Sequence, residues 1–178
     1  MLTTVVFTDI VDSTRQLAEA GDKRWRALLA DHDRRMDDLL SRFGGVAIKH
    51  TGDGRLAHFQ RPARAVRFAA EMTDVARACG LEIRVGVHTG ECQLVNSDLF
   101  GLAINIGARV AAAAPPGAVL VTSTVKDLVI GSGLAFAPVG EHALKGVPEK
   151  WNLFRYKKDQ PGPLVAAGYD TDVRSGLD

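Results

Sequence analysis

The sequence predicts an α+β fold in which one mostly antiparallel sheet is packed against helices. Runs rich in β-branched residues alternate with helical apolar stripes, in the order β-α-α-β-β-α-β-α-β-α-β-β, and glycine or proline turns separate them. This order mixes hairpins with crossovers, which is typical of a ferredoxin-like βαββαβ sandwich with helices covering one face of the sheet. The chain has 178 residues, 46% of them hydrophobic, which suits one domain with a substantial core.

The first elements are a strand and two helices. Residues 3–7 form a β-branched run that predicts a buried strand ending at Asp9. Good N-cap residues follow, then a short helix to about Ala20 that Gly21 ends. Apolar side chains at spacings of three and four predict a long second helix, which Gly44 ends. Its stripe consists of Trp25, Leu28, Leu29, His32, Met36, Leu39, Leu40 and Phe43.

The next segment predicts a β-hairpin, with strands over residues 46–50 and 56–59 around the turn Thr51-Gly52-Asp53-Gly54. The later elements are a helix over 62–79, a strand over 82–88, an extended segment to about Val95, a helix over 101–114, a strand over 118–121, a helix over 123–130 and a last strand over 151–156. We predict one folded domain over residues 1–157. The remainder, 158–178, contains Pro, Gly and Asp without periodicity and predicts a flexible tail.

Charge and cysteine content disfavour several classes of protein. The 22 basic and 21 acidic residues leave a net charge of +1, which argues against binding of nucleic acid or anionic membranes. Cys79 and Cys92 lack metal-site spacing and are typical of reduced thiols. The N-terminus lacks signal-peptide features, and no run reaches the ~18 apolar residues of a membrane span. We therefore expect a cytoplasmic protein, or the cytoplasmic domain of a larger one, without membrane contact.

Two aspartates occupy positions suited to metal binding. Asp9 ends the first predicted strand, and Asp53 lies in the hairpin turn between two glycines. If the two strands are neighbours, both carboxylates can converge, and carboxylate oxygens are the ligands that Mg²⁺ and Mn²⁺ prefer. Taken singly, Asp53 also fits an ordinary turn residue, and Asp9 an ordinary helix cap.

The backbone between Asp9 and the first helix is a candidate phosphate cradle, because amides at a helix N-terminus attract anions. It consists of Ile10, Val11, Asp12, Ser13 and Thr14. The pattern has low specificity alone, since most helix N-termini hold no ligand.

Other candidate residues are polar side chains in apolar surroundings. Asn105 and Arg109 share one helical face, where a guanidinium can bind a phosphoryl group and an amide can orient a sugar; both could equally face solvent. Lys49 and Asp98 could form a polar pair in a pocket or be plain surface charges. Lys145 alone is typical of a turn lysine.

Five separated blocks, in this order, resemble the catalytic domain of class III nucleotidyl cyclases, of the bacterial adenylyl cyclase type. The blocks are FTDIVDST at 7–14, KHTGDG at 49–54, GVHTG at 86–90, DLFGLAINIGAR at 98–109 and LKG at 144–146. The resemblance spans about residues 3–156, nearly the whole chain.

The resemblance implies an adenylyl cyclase that converts ATP into 3′,5′-cyclic AMP and pyrophosphate, with a role in signal transduction. Asp9 and Asp53 would hold two divalent ions, Mg²⁺ or Mn²⁺, helped by the Ile10 carbonyl. Three further residues match family positions that contact substrate: Arg109 the arginine that stabilises the transition state, Asn105 the asparagine that orients the ribose, and Lys145 a lysine on the terminal phosphates.

Lys49 and Asp98 match the positions at which adenylyl cyclases recognise the base. An ammonium donates to adenine N1, and a carboxylate accepts from the adenine 6-amino group. Guanine presents the opposite pattern, and guanylyl cyclases typically carry Glu and a small or thiol residue at these positions. The pair therefore favours ATP over GTP.

In this family one subunit supplies the metal aspartates and the other supplies the residues for the base, the ribose and the transition state. Because this chain carries both sets, we expect an active head-to-tail homodimer and an inactive single chain. Two positions depart from the family pattern. Glu91 stands where some relatives have a phosphate-binding arginine, and Arg55 stands where an apolar residue is more usual.

Four alternative functions belong to other classes or substrates. The first is a cyclase-fold module that binds nucleotide without turnover. The second is a ferredoxin-like RNA-binding domain, which an aromatic content of only 6% disfavours. Guanylyl cyclase is the third. Diguanylate cyclase is disfavoured because the sequence lacks a Gly-Gly-Asp-Glu-Phe-like turn.

Overall fold

The computed structural model describes residues 1–158, and the predicted tail from Asp159 onward lies outside them. In chain order the elements are β1 (Leu2–Ile10), α1 (Ser13–Ala20), α2 (Asp22–Phe43), β2 (Gly45–Thr51), β3 (Gly54–Phe59), α3 (Pro62–Ala78), β4 (Ile83–Glu91), β5 (Gln93–Val95), β6 (Asp98–Phe100), α4 (Leu102–Ala113), β7 (Val119–Thr122), α5 (Ser123–Leu128), β8 (Ala135–Ala143) and β9 (Lys150–Lys157). Among the helices of this part of the chain, none is long and apolar enough to cross a membrane.

Seven strands form one sheet in the order β2-β3-β1-β4-β7-β9-β8. Only the β4–β7 pair is parallel within the described sheet, so the predicted α+β class with a mostly antiparallel sheet is confirmed. Strand β1 lies between β3 and β4, with Thr8 opposite Arg55 and Ile10 opposite Ile83. The C-terminal end of β1 therefore lies beside the turn that joins β2 to β3.

Helices cover both faces of the sheet, so the expectation of helices on one face is wrong. Val6 and Ile10 of β1 belong to the core under α2, α3 and α5, whereas Val5 and Phe7 belong to a second core under α4. The helix α4 approaches closely because glycine faces it: a Cβ at Gly86 would lie 2.2 Å from the Ala111 amide nitrogen. Strands that are buried on both faces have continuous apolar runs in place of an alternating pattern. The sequence of such a strand therefore does not indicate which face a later helix will cover.

The segment after β4 forms a small hairpin that the sequence did not predict. Strands β5 and β6 pair outside the main sheet, and Leu94 is opposite Leu99. The turn between them requires positive φ angles of 49° at Asn96 and 65° at Ser97. Asparagine tolerates this conformation better than most residues, but the preceding alternation is too short to predict a pair of strands.

A buried histidine stabilises the centre of the sheet in its neutral form. The Nδ1 atom of His88 on β4 lies 2.8 Å from the Thr122 hydroxyl of β7, and its ring meets Trp151 edge-on. Burial lowers the pKa of His88 to about 4.

This pKa predicts a loss of stability in mild acid. In the unfolded chain the pKa of His88 returns to about 6.5, so between these values the unfolded state binds more protons. The free energy of unfolding should therefore be highest above pH ~6.5 and fall by up to about 3 kcal/mol as the pH approaches ~4. His88→Asn should remove this component. Urea unfolding of both proteins at several pH values measures it, and identical pH slopes would contradict the assignment.

Candidate active site

Asp9 and Asp53 lie on adjoining segments at one end of the sheet, because β1 and β3 are neighbouring strands. Asp9 precedes the last residue of β1, Asp53 lies in the β2–β3 turn, and both are exposed. A Cβ at Gly54 would lie 1.8 Å from the Thr8 carbonyl oxygen and 3.2 Å from the Asp9 Cα. The turn can therefore contact the end of β1 only because residue 54 lacks a side chain.

The donor set at this end of the sheet fits a hard divalent cation. Within residues 1–158, neither Asp9 nor Asp53 has an ion-pair partner, so both carboxylates are available. The same residues contain no cluster of three or more His, Cys, Asp and Glu side chains suited to a metal. Mg²⁺ commonly binds through one or two carboxylates, waters and substrate phosphates, and does not need such a cluster.

The backbone after Asp9 leads into α1 through a left-handed residue. Asp12 is the N-cap residue with a φ of 52°, and within the described chain no side chain caps this helix end. The amides of Ser13 and Thr14 begin the first turn and have no partner within their helix. The Val11 amide differs from expectation because it donates to the Glu82 carbonyl over 2.9 Å, extending the β1–β4 pairing. Val11 is thereby removed from the predicted cradle.

Lys49 and Asp98 form an ion pair on a partly exposed surface. The Lys49 Nζ lies 2.8 Å from the Asp98 Oδ2, and the two side chains are 43% and 34% exposed. The hydrogen bond from Lys49, with a second from the Leu99 amide, holds the pKa of the Asp98 carboxyl below its ordinary value. The β5–β6 hairpin brings Asp98 across to β2, which the sequence alone could not show.

Asn105 and Arg109 lie on the exposed face of α4, whose other face packs on the sheet through Ala103, Ile106 and Val110. Within residues 1–158, no hydrogen bond or ion pair joins Asn105 or Arg109 to the two aspartates. The two residues share one helical face, as predicted, but a single chain leaves them without polar contact to the metal-binding end.

Lys145 is exposed in the loop between β8 and β9. The loop is held at both ends, because Leu144 is buried beside Leu153 and the Trp151 Nε1 donates to the Pro148 carbonyl over 3.1 Å. Lys145 therefore lies on an anchored loop with its side chain open to solvent.

Sequence reasoning missed a residue that connects the two aspartate segments. The Thr8 hydroxyl, buried next to Asp9, accepts a hydrogen bond from the Arg55 amide over 3.2 Å. A threonine in a strand otherwise gives no signal beyond β-propensity. Of the two departures from the family pattern, Glu91 is exposed and pairs with the N-terminal amino group at 3.3 Å, whereas Arg55 is buried.

Comparison with known proteins identifies the family. The model of the adenylate and guanylate cyclase catalytic domain matches residues 2–157. The chain belongs to this family, and the resemblance to class III nucleotidyl cyclases is confirmed.

A curated relative is similar in sequence but longer than this chain. An uncharacterized protein of Mycobacterium tuberculosis is 31% identical over 125 residues, covering 69% of this chain and 33% of the relative. The chain thus spans about a third of the length of that protein.

Two solved structures show the fold. The adenylyl cyclase CyaB from P. aeruginosa superimposes with a TM-score of 0.82 at 21% identity, covering 89% of this chain and 95% of CyaB. The guanylate cyclase domain of RhGC from Catenaria anguillulae, in complex with GTP, has a TM-score of 0.79 at 19% identity, covering 88% and 96%. One fold thus carries adenylyl and guanylyl cyclases, so it does not select the base.

Proposed function

We propose that the chain is an adenylyl cyclase that converts ATP into 3′,5′-cyclic AMP and pyrophosphate. The ion pair between Lys49 and Asp98, with Nζ and Oδ2 2.8 Å apart, is the observation that supports ATP within a family of adenylyl and guanylyl cyclases. It places a donor beside an acceptor, which is the complement of adenine N1 and its 6-amino group. Guanine would place an N–H against the Lys49 ammonium and a carbonyl against the Asp98 carboxylate. A donor would then face a donor and an acceptor would face an acceptor, and neither side chain would form a hydrogen bond with the base.

The reaction needs positioning and charge stabilisation more than a dedicated base. The ribose 3′-hydroxyl loses its proton to solvent, its oxygen forms a bond to the α-phosphorus as the bond from that phosphorus to the bridging oxygen breaks, and pyrophosphate leaves. Asp9, Asp53 and the Ile10 carbonyl would hold two divalent ions, which supply charge neutralisation and a lower pKa of the 3′-hydroxyl.

The chain's other polar groups would orient the substrate. The first-turn amides at Ser13 and Thr14 donate to phosphate oxygens, beside the positive end of the α1 dipole. Lys145 binds the terminal phosphates, Asn105 holds the ribose, and Arg109 donates to the charge that develops in the transition state.

The active form would be a head-to-tail homodimer in which Asn105 and Arg109 of one chain face the aspartates of the other. Two observations support this arrangement. Within residues 1–158, Asn105 and Arg109 make no polar contact with Asp9 or Asp53 of the same chain. The β5–β6 hairpin and the start of α4 also expose large apolar side chains, which a second copy would cover: Leu94, Val95, Phe100 and Leu102.

The direct test is cyclic nucleotide production by the purified chain with Mn²⁺, ATP or GTP, over a range of protein concentrations. We expect cyclic AMP from ATP, with specific activity that rises as dimers form, and at least about tenfold less product from GTP. Predominant cyclic GMP would identify a guanylyl cyclase. No product, with dimers confirmed, would indicate a nucleotide-binding module.

The base assignment predicts a change of specificity. Lys49→Glu combined with Asp98→Cys inverts the donor and acceptor, so the ratio of kcat/KM for ATP over GTP should fall by about 100-fold or more. Lys126→Glu is the matched control, because Lys126 is a half-exposed lysine on α5, away from the Lys49–Asp98 pair. Steady-state kinetics with both nucleotides measures the ratio, and an unchanged ratio would contradict the assignment.

The shared site predicts complementation between two inactive chains. Asp53→Ala and Arg109→Ala should each lose nearly all activity, and an equimolar mixture should recover about a quarter of the wild-type rate, because half of the dimers then contain one intact site. Each variant incubated alone is the control. Absence of recovery, with heterodimers isolated through two different tags, would exclude the shared site.

A further inference from the structure

Two ion pairs join the β2–β3 hairpin to α2, next to the turn that contains Asp53. His50 and Arg55 are cross-strand partners on β2 and β3. The Arg55 Nη1 lies 2.7 Å from the Asp37 carboxylate, and the His50 Nε2 lies 3.3 Å from the Asp33 carboxylate. Asp33 and Asp37 are one helical turn apart, so one face of α2 holds both strands of the hairpin.

Arg55 makes the stronger of these two attachments. Its side chain is only 10% exposed, and its guanidinium also donates to the Asp33 carbonyl over 3.4 Å. Its own amide donates to the Thr8 hydroxyl beside Asp9. Arg55 therefore connects α2, the Asp53 turn and the end of β1. The pair of His50 and Asp33 is more exposed, at 62% and 38%, and should contribute less.

Stability alone gives no reason for a buried arginine here. An apolar side chain would pack against α2 without the cost of desolvating a charge. Asp37 is 60% exposed, so water already solvates it and the ion pair adds little to stability. A planar guanidinium does fix a direction, however, because its donors bind at set angles.

We propose that Arg55, held by Asp37, is a positioning residue for the Asp53 carboxylate. The ion pair fixes the β2–β3 turn between α2 and β1, so that Asp53 stays in register with Asp9. This rests on the proposed function, in which both aspartates bind the divalent ions.

The test compares Arg55→Met, Arg55→Lys and Asp37→Asn with the wild type. Arg55→Met keeps the apolar stem, and Asp37→Asn alters only an exposed group, so we expect both variants to fold, which circular dichroism checks. Glu71→Gln is the control, because it removes an ion pair of 3.5 Å between α2 and α3, away from the turn. Mn²⁺ binding is measured by electron paramagnetic resonance with 3′-deoxy-ATP, which lacks the attacking hydroxyl and cannot react. Hydrogen exchange of residues 51–54 reports the turn itself.

We expect Arg55→Met and Asp37→Asn each to weaken Mn²⁺ binding about tenfold and to speed exchange over 51–54. The variant that combines Arg55→Met with Asp37→Asn should be no worse than Arg55→Met alone, because Arg55→Met already removes the ion pair with Asp37. Arg55→Lys should recover part of the affinity, and Glu71→Gln should change neither quantity.

Unchanged Mn²⁺ affinity and unchanged exchange in Arg55→Met, with only a lower free energy of unfolding, would overturn the proposal. Failure of the proposed function gives a different result, in which the wild type itself binds no Mn²⁺ and forms no cyclic nucleotide. Hydrogen exchange alone then tests the proposal. Faster exchange over 51–54 in Arg55→Met than in the wild type supports the role of Arg55 in holding the turn, and unchanged exchange overturns it.

Discussion

The contact between Gly54 and the end of β1 sets the geometry of the site. Its backbone lies against Thr8 and Asp9 so closely that a Cβ would be 1.8 Å from a carbonyl oxygen. This contact holds the Asp53 turn beside Asp9, and the Thr8 hydroxyl and the Arg55 side chain strengthen it from two sides. Because the contact is made by the backbone, it places the segment that carries Asp53 beside the segment that carries Asp9.

Burial of β1 on both faces gives this contact a rigid base. Val6 and Ile10 pack under α2 and α3, while Val5 and Phe7 pack under α4, so the strand cannot tilt toward either layer without opening a cavity. Close packing of α4 depends on Gly86 and Gly107, and it turns Asn105 and Arg109 outward. The same packing that supports β1 thus leaves Asn105 and Arg109 exposed on the outer face of α4.

Charged groups around the site differ in how firmly they are held. Lys49 and Asp98 form an ion pair in which both side chains are partly exposed, so solvent can reach the two groups that we propose recognise the base. Arg55 is nearly buried and binds Asp37 and the Asp33 carbonyl. This environment suits a residue that supports the β2–β3 turn better than one that recognises a substrate. Membership of the cyclase family defines the reaction class. The fold alone does not decide the base, since similar folds occur in an adenylyl cyclase and in a guanylate cyclase domain.

The sequence determined the α+β class, the family and the order of strands and helices except for the β5–β6 hairpin, because apolar periodicity, glycine turns and the five motif blocks are local features. It also identified Asp9 and Asp53 as candidate metal ligands. Tertiary structure decided that α4 covers the second face, that Val11 pairs with Glu82, and that Lys49 meets Asp98. Each of these joins segments far apart in the chain. Such contacts depend on which buried surfaces pack against each other, and local sequence patterns do not indicate that packing.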